Sequence, residues 1–121
     1  MTIKNVLVVD DSPTDRQHLT DILSKGGYAV TTAASAEEGI AKVKASKPDL
    51  VLMDVVLPGH NGYQATRELS KDEATKNIPV ILCTSKSQET DKVCGMRQGA
   101  RDYVTKPVNG AELLKKISAL G

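Results

Sequence analysis

Two rhythms alternate along this chain. Short runs of β-branched and apolar residues ("NVLVV" from Asn5, "YAVTTA" from Tyr28, "LVLM" from Leu50, "IPVILCT" from Ile78 and "DYVT" from Asp102) are separated by longer segments in which apolar residues return every three or four positions. The first rhythm predicts strands, and its unbroken apolar runs predict strands covered on both faces; the second predicts amphipathic helices. Regular alternation of the two predicts an α/β domain, a doubly wound (βα)5 fold with a five-stranded parallel sheet between two helical layers. The expected organisation is a single domain over residues 1–121, with no output domain after the last helix.

The helix ends are legible. Ser12-Pro13 reads as an N-cap followed by Pro at the first helical position, and Leu19, Ile22 and Leu23 form one apolar stripe before Gly26-Gly27. Ser35 with Glu38 reads as a capping box for a second helix, with Ile40 and Val43 facing inward and Lys47-Pro48 closing it. Ala65 and Leu69 mark a third, weaker helix after Gly62, and Val93, Met96 and Ala100 mark a fourth. Asn109 with Glu112 caps the last helix, whose buried face is expected to be Leu113, Leu114, Ile117 and Leu120. Gly110, in its first turn, carries no functional reading.

The first apolar run ends on two adjacent carboxylates, in "NVLVVDDSPTDR". In an open parallel sheet, ligands bind outside the carboxyl ends of the strands, where the strand order reverses. Asp10 and Asp11 close the first strand, Asp54 the third, Thr84 and Ser85 the fourth, and Lys106 follows the fifth, so all converge on one rim. Three aspartates there cannot all stay ionised without a counter-charge. A hard divalent cation supplies it: Mg²⁺ takes about six oxygens and keeps several waters, so a few carboxylates suffice. No His/Cys cluster competes for a softer metal, since His18 lies mid-helix and His60 in a loop.

A carboxylate beside Mg²⁺ and a lysine suits phosphoryl transfer, with Lys106 and the metal stabilising charge on the equatorial oxygens. Asp54, alone at its strand end, is the candidate nucleophile. Asp10 and Asp11 are suited to hold the metal, and Val56 is placed to lend it a backbone carbonyl. The Thr84 hydroxyl is placed to hydrogen-bond a phosphoryl oxygen. Pro58 and Gly59 turn the chain away and leave the carboxylate accessible.

Composition narrows the alternatives. Sixteen Lys and Arg against fifteen Asp and Glu give a formal charge of +1 with no basic run, so nucleic-acid or anionic-membrane binding has no support. Three Tyr and no Phe or Trp argue against a base-stacking surface and make an aliphatic core obligatory. No apolar run approaches ~20 residues and no signal peptide is visible, which predicts no membrane insertion and a cytoplasmic location. Cys83 and Cys94 lack CxxC spacing and read as small buried hydrophobes.

Taken together, "VDDS", "LMDVVLPGHNG", "ILCTS" and "DYVTKP", in this order over essentially the whole chain, resemble the receiver domain of two-component response regulators, CheY-like modules of flavodoxin-like fold. The resemblance implies Mg²⁺ on Asp10 and Asp11, a phosphoryl group accepted by Asp54 from a histidine kinase, a phosphoryl contact from Lys106, and a switch formed by Thr84 and Tyr103. It places kinase docking on the first helix, around Arg16 to Leu23. It gives a downstream protein target the face made by the fourth helix, the fifth strand and the last helix. In the family the side chains at Val56 and Lys86 flank the path of hydrolytic water; apolar Val56 cannot orient water, so no unusually fast loss of phosphate is expected from that position. At closer range, "GHNGYQATRELSKD" and "SQETDKVCGMRQGARDYVTKPV" are similar to the PilH regulators of type IV pilus twitching motility. The expected role is signalling through protein–protein contact rather than enzymatic turnover. The alternative is a small Mg²⁺-dependent phosphohydrolase or phosphotransferase with an aspartyl-phosphate intermediate, against which stands the lack of a DxD pair: two residues after Asp54 comes Val56.

Overall fold

Val6, Leu7, Val8 and Val9 are all buried, as a strand covered from both sides must be. They belong to β1 (Asn5–Val9), an inner strand of a computed structural model that describes residues 3–55, 62–84, 99–106 and 108–120, for Thr84 the backbone only. The other strands are β2 (Ala29–Ala33), β3 (Leu50–Asp54), β4 (Val80–Thr84) and β5 (Asp102–Thr105). Among the described residues the helices are α1 (Pro13–Lys25), α2 (Ala36–Ser46), α3 (Gly62–Lys71) and α4 (Gly110–Leu120). The helix expected around Val93, Met96 and Ala100 falls mostly outside the described residues.

All strands are parallel, in the order β2-β1-β3-β4-β5. Alternate residues of each strand point to opposite faces, and the core divides accordingly. Leu7, Val9, Val51, Met53 and Leu82 pack with Ala36 and Val43 of α2 and Ala65 and Leu69 of α3. Val6, Val8, Leu50, Leu52, Ile81 and Val104 pack on the other face with Leu19 and Leu23 of α1 and Leu113 and Ile117 of α4. Each buried Val, Leu, Ile or Met among them contributes about 1.5–3 kcal/mol relative to exposure, and the partly buried Tyr28, Tyr63 and Tyr103 pack against the margins. Leu114 and Leu120, expected on the buried face of the last helix, are only half-buried, because they lie at the margins of the stripe that Leu113 and Ile117 press onto the sheet.

The caps form with one change. The Ser12 hydroxyl accepts the Asp15 N–H at 3.3 Å, and the Asn109 side chain accepts the Glu112 N–H at 3.0 Å. The Ser35 hydroxyl accepts the Glu38 N–H, but the Glu38 carboxylate reaches back to the N–H of Ala34 rather than that of Ser35. The α2 C-cap, Lys47, is left-handed at φ 46, and its N–H donates to the Val43 carbonyl. A Cβ added at Gly110 would meet Ile22 at 3.4 Å, ordinary contact, so nothing ties that glycine to the site. No described helix is long and apolar enough to cross a membrane.

Candidate functional site

The strand order sets the site. From β1 the chain moves outward to β2, then returns across β1 to β3, so the topological switch lies between β1 and β3. Asp10 follows β1 and Asp54 ends β3, and both are buried among polar groups while adjacent Asp11 is exposed. Carboxylate oxygens of Asp10, Asp11 and Asp54 lie within 4.8 Å of one another.

Local bonds fix each member. The Asp10 N–H donates to Ala33 of β2 at 3.0 Å, and Asp10 Oδ1 accepts the Ser12 N–H at 3.0 Å. Arg16 Nη1 donates to the Asp10 carbonyl at 2.7 Å, which ties the first turns of α1 to the end of β1. Beyond Asp54 the Val55 N–H donates to Cys83, and the Val55 carbonyl accepts the Gly62 N–H at 2.8 Å. Gly62 is packed so closely that a Cβ there would lie 2.1 Å from the Asp54 carbonyl oxygen. Only glycine lets α3 begin at this point without displacing the end of β3.

Lys106, following β5, reaches into the cluster. Its Nζ lies 3.0 Å from Asp10 Oδ2, 3.2 Å from Asp54 Oδ1 and 3.0 Å from Asp15 Oδ2 on α1. Burial alone would pull its ammonium down, but the hydrogen bonds to Asp10 and Asp15 and the charge of Asp54 outweigh it and raise the pKa above the usual lysine value. Asp54 shows the opposite strain: loss of water pushes its carboxyl up, the charge of Asp10 adds to this, Lys106 offsets only part, and the pKa stands at about 6. Four carboxylates (Asp10, Asp11, Asp15 and Asp54) thus meet two cationic side chains, Lys106 and Arg16. The all-oxygen donor set and the uncompensated charge on Asp54 fit a hard divalent cation such as Mg²⁺.

The other residues singled out from the sequence fall less centrally. Tyr103, on β5 in register with Leu82, is half-buried, with Lys116 Nζ 5.2 Å from its ring centroid. Thr84 pairs with Thr105 through the backbone, while its side chain, Val56, Pro58, Gly59, His60, Ser85, Lys86, Cys94 and Pro107 lie outside the described residues. Cys83 is buried, and burial pushes its thiol up to about 12, which makes it an inert core residue. His18 is exposed, yet its Nε2–H donates to the Val108 carbonyl at 3.0 Å. Asp15, unremarked in the sequence, is the addition. The signal was its place three positions beyond the Ser12 cap, in the first turn of a helix that starts at the rim.

Comparison with known proteins agrees with this geometry. Residues 6–118 match the family described as the response regulator receiver domain. The chain is 56% identical over 115 residues to protein PilH of Pseudomonas aeruginosa, covering 95% of each chain. It is 38% identical to the phosphate regulon transcriptional regulatory protein PhoB of the same organism, covering 99% of this chain but only 52% of PhoB. Among solved structures, a response regulator from Chloroflexus aurantiacus superposes with a TM-score of 0.94 at 32% identity, covering 98% of both chains. The chemotaxis protein CheY4 of Vibrio cholerae superposes with a TM-score of 0.90 at 30% identity, covering 99% of this chain and 100% of that one. Fold, rim and sequence converge, and the chain belongs to the response-regulator receiver domains of two-component signalling, with PilH among its near relatives.

Proposed function

We propose that this chain is a receiver whose Asp54 accepts a phosphoryl group from a histidine kinase and which signals through phosphorylation-dependent protein–protein contact. One observation carries the reading: Asp54 sits at the end of β3 in one cluster with Asp10 and Asp11, with Lys106 Nζ 3.2 Å from its Oδ1. In the transfer, an Asp54 carboxylate oxygen forms the new O–P bond as the N–P bond of the donor phosphohistidine breaks, and the imidazole leaves with the bonding pair and takes up a proton. Lys106 neutralises charge on the transferring phosphoryl oxygens. Asp10, Asp11 and Asp54, with the Val56 carbonyl, would hold Mg²⁺, which when bound supplies the remaining counter-charge.

After transfer, the ester on Asp54 brings added charge and three acceptor oxygens to the rim. Thr84 answers as a phosphoryl contact, and Tyr103 moves with it. That changes the face of β5 and α4 together with the segment that precedes β5, where the downstream protein binds. The likeness to PilH supports an output in type IV pilus twitching motility. On this reading residues 1–121 are one receiver module working in the cytoplasm, and the chain assists its own phosphorylation and dephosphorylation without turning over an external substrate.

The test is intact-mass analysis after incubation with acetyl phosphate and Mg²⁺. One acid-labile phosphoryl group per chain is expected, lost with Asp54→Asn and with excess chelator. A chain that stays unmodified under these conditions contradicts the proposal. Sustained hydrolysis of phosphoesters over many turnovers would instead favour a phosphohydrolase.

A further inference from the structure

Lys106 and the metal-type cluster compete for the same oxygens. Of the three carboxylates ion-paired with the Lys106 ammonium, Asp10 and Asp54 also belong to the cluster with Asp11, whereas Asp15 does not. The ammonium donates hydrogen bonds to Asp10 and Asp15, both at 3.0 Å, and makes an ion pair with Asp54 at 3.2 Å. A divalent cation drawing on Asp10 and Asp54 would weaken two of these three ion pairs and repel the ammonium as well. The bond to Asp15, at 3.0 Å, lies outside that cluster and would remain.

We propose that Asp15 is a positioning residue that keeps the Lys106 ammonium beside Asp54 when Asp10 and Asp54 are engaged by a cation. The inference rests on the reading of Asp54 as phosphoryl acceptor. Two further features support it. The segment that carries Lys106 is held to the same helix a second time, by His18 Nε2–H donating to Val108 one turn beyond Asp15. A small cavity of ≈ 50 Å³, lined by Asp15, His18, Leu19, Lys106 and Val108, lies against this junction. Without the Asp15 carboxylate, the lysine has space on the α1 side into which it can withdraw. Asp15 also stands in the first turn of α1, where an acidic residue favours the helix dipole, and Ser12 caps its N–H. That role explains its backbone but not why its side chain spans to a lysine 91 residues away.

Two measurements separate positioning from helix stability. The first follows phosphorylation from acetyl phosphate at saturating Mg²⁺ by intact mass. Asp15→Asn is expected to slow it roughly three- to tenfold, with Asp15→Glu recovering part of the loss. In a Lys106→Ala background, Asp15→Asn should have no further effect, because the residue acts through the lysine. The second needs neither Lys106→Ala nor phosphorylation: limiting acylation with N-hydroxysuccinimidyl acetate in metal-free buffer, read by peptide mass spectrometry. Lys116, held by Asp102 and exposed to the same 24%, is the internal reference. Labelling of Lys106 relative to Lys116 should rise roughly threefold in Asp15→Asn as the ammonium is freed. Unchanged labelling, an unchanged phosphorylation rate, or an equal slowing in the Lys106→Ala background overturns the role of Asp15. A wild-type chain that takes no phosphoryl group overturns the functional reading beneath it.

Discussion

Asp49 stands just before β3 and Asp54 closes it, and the two carboxyls are driven in opposite directions. Asp49 Oδ2 accepts the backbone N–H groups of Lys4 at 2.9 Å and Asn5 at 3.0 Å, and these bonds hold its pKa below the usual carboxylate range. Asp54 is pushed up to about 6 by loss of water and by Asp10. The amino end of the strand thus carries a carboxylate that the fold satisfies by itself: it clips the start of β1 to the start of β3. The carboxyl end carries one that the fold leaves in electrostatic debt. A negative charge that the protein alone does not balance is a position prepared for something else, here a cation and a phosphoryl group.

The largest stability effect is expected where the carboxyl end is built most tightly. Gly62→Ala sets a Cβ 2.1 Å from the Asp54 carbonyl oxygen, and backbone must move to admit it. We expect a loss of about 2–4 kcal/mol by urea unfolding, together with impaired phosphorylation, whereas a substitution that merely trims exposed surface costs well under that. A Gly62→Ala chain as stable as the wild type would show that the end of β3 is not held as described.

Cation binding should separate the two aspartates next. Mg²⁺ at a hundredfold excess over its Kd should raise stability by about 2.7 kcal/mol in the wild type, and much less in Asp54→Asn. Asp49→Ala should leave the Mg²⁺ increment unchanged. Equal increments in wild type and Asp54→Asn would remove Asp54 from the cation site.

In metal-free buffer the comparison becomes one of pH. The Asp54 carboxyl binds its proton more tightly folded than unfolded, so its contribution is fully present below about pH 4 and is lost as pH rises through about 6. Above that, the buried charge costs stability, and Asp54→Asn should exceed the wild type by about 1–3 kcal/mol, the gap closing toward pH 4. Asp49 runs the other way. Its depressed pKa gives stability that is present above the unfolded value, near 4, and fades as pH falls further. Asp49→Ala should therefore be destabilised by about 1–2 kcal/mol at pH 7, with less difference in acid. Unfolding midpoints across pH 3–8 read both slopes.

Much of this was legible beforehand because it rests on local rules. A strand covered on both faces must be apolar throughout, as Val6 to Val9 and Leu50 to Met53 are, and the ends of parallel strands must face one rim, which placed Asp10, Asp54 and Lys106 together. What escaped depended on distances between elements. Asp10 and Asp11 look equivalent in sequence, but successive residues leave a strand in opposite directions, and one is buried while the other is exposed. Asp15 reads as an ordinary first-turn acid until α1 is docked against β1 and Lys106, following β5, reaches across the rim to its carboxylate. Leu114 and Leu120 carry the right period, yet their burial depends on how α4 is rotated on the sheet.

The central claim, that Asp54 becomes an acyl phosphate, is tested most directly by chemical trapping. Borohydride reduces an acyl phosphate, but not a free carboxylate, to the alcohol, so peptide mapping of the chain treated with acetyl phosphate and Mg²⁺ locates the modified side chain. The account predicts conversion at residue 54, dependent on Mg²⁺, with Asp10, Asp11, Asp15 and Asp49 unreduced. Reduction at any of those four, or none at Asp54 in a chain that has gained a phosphoryl group, would contradict it.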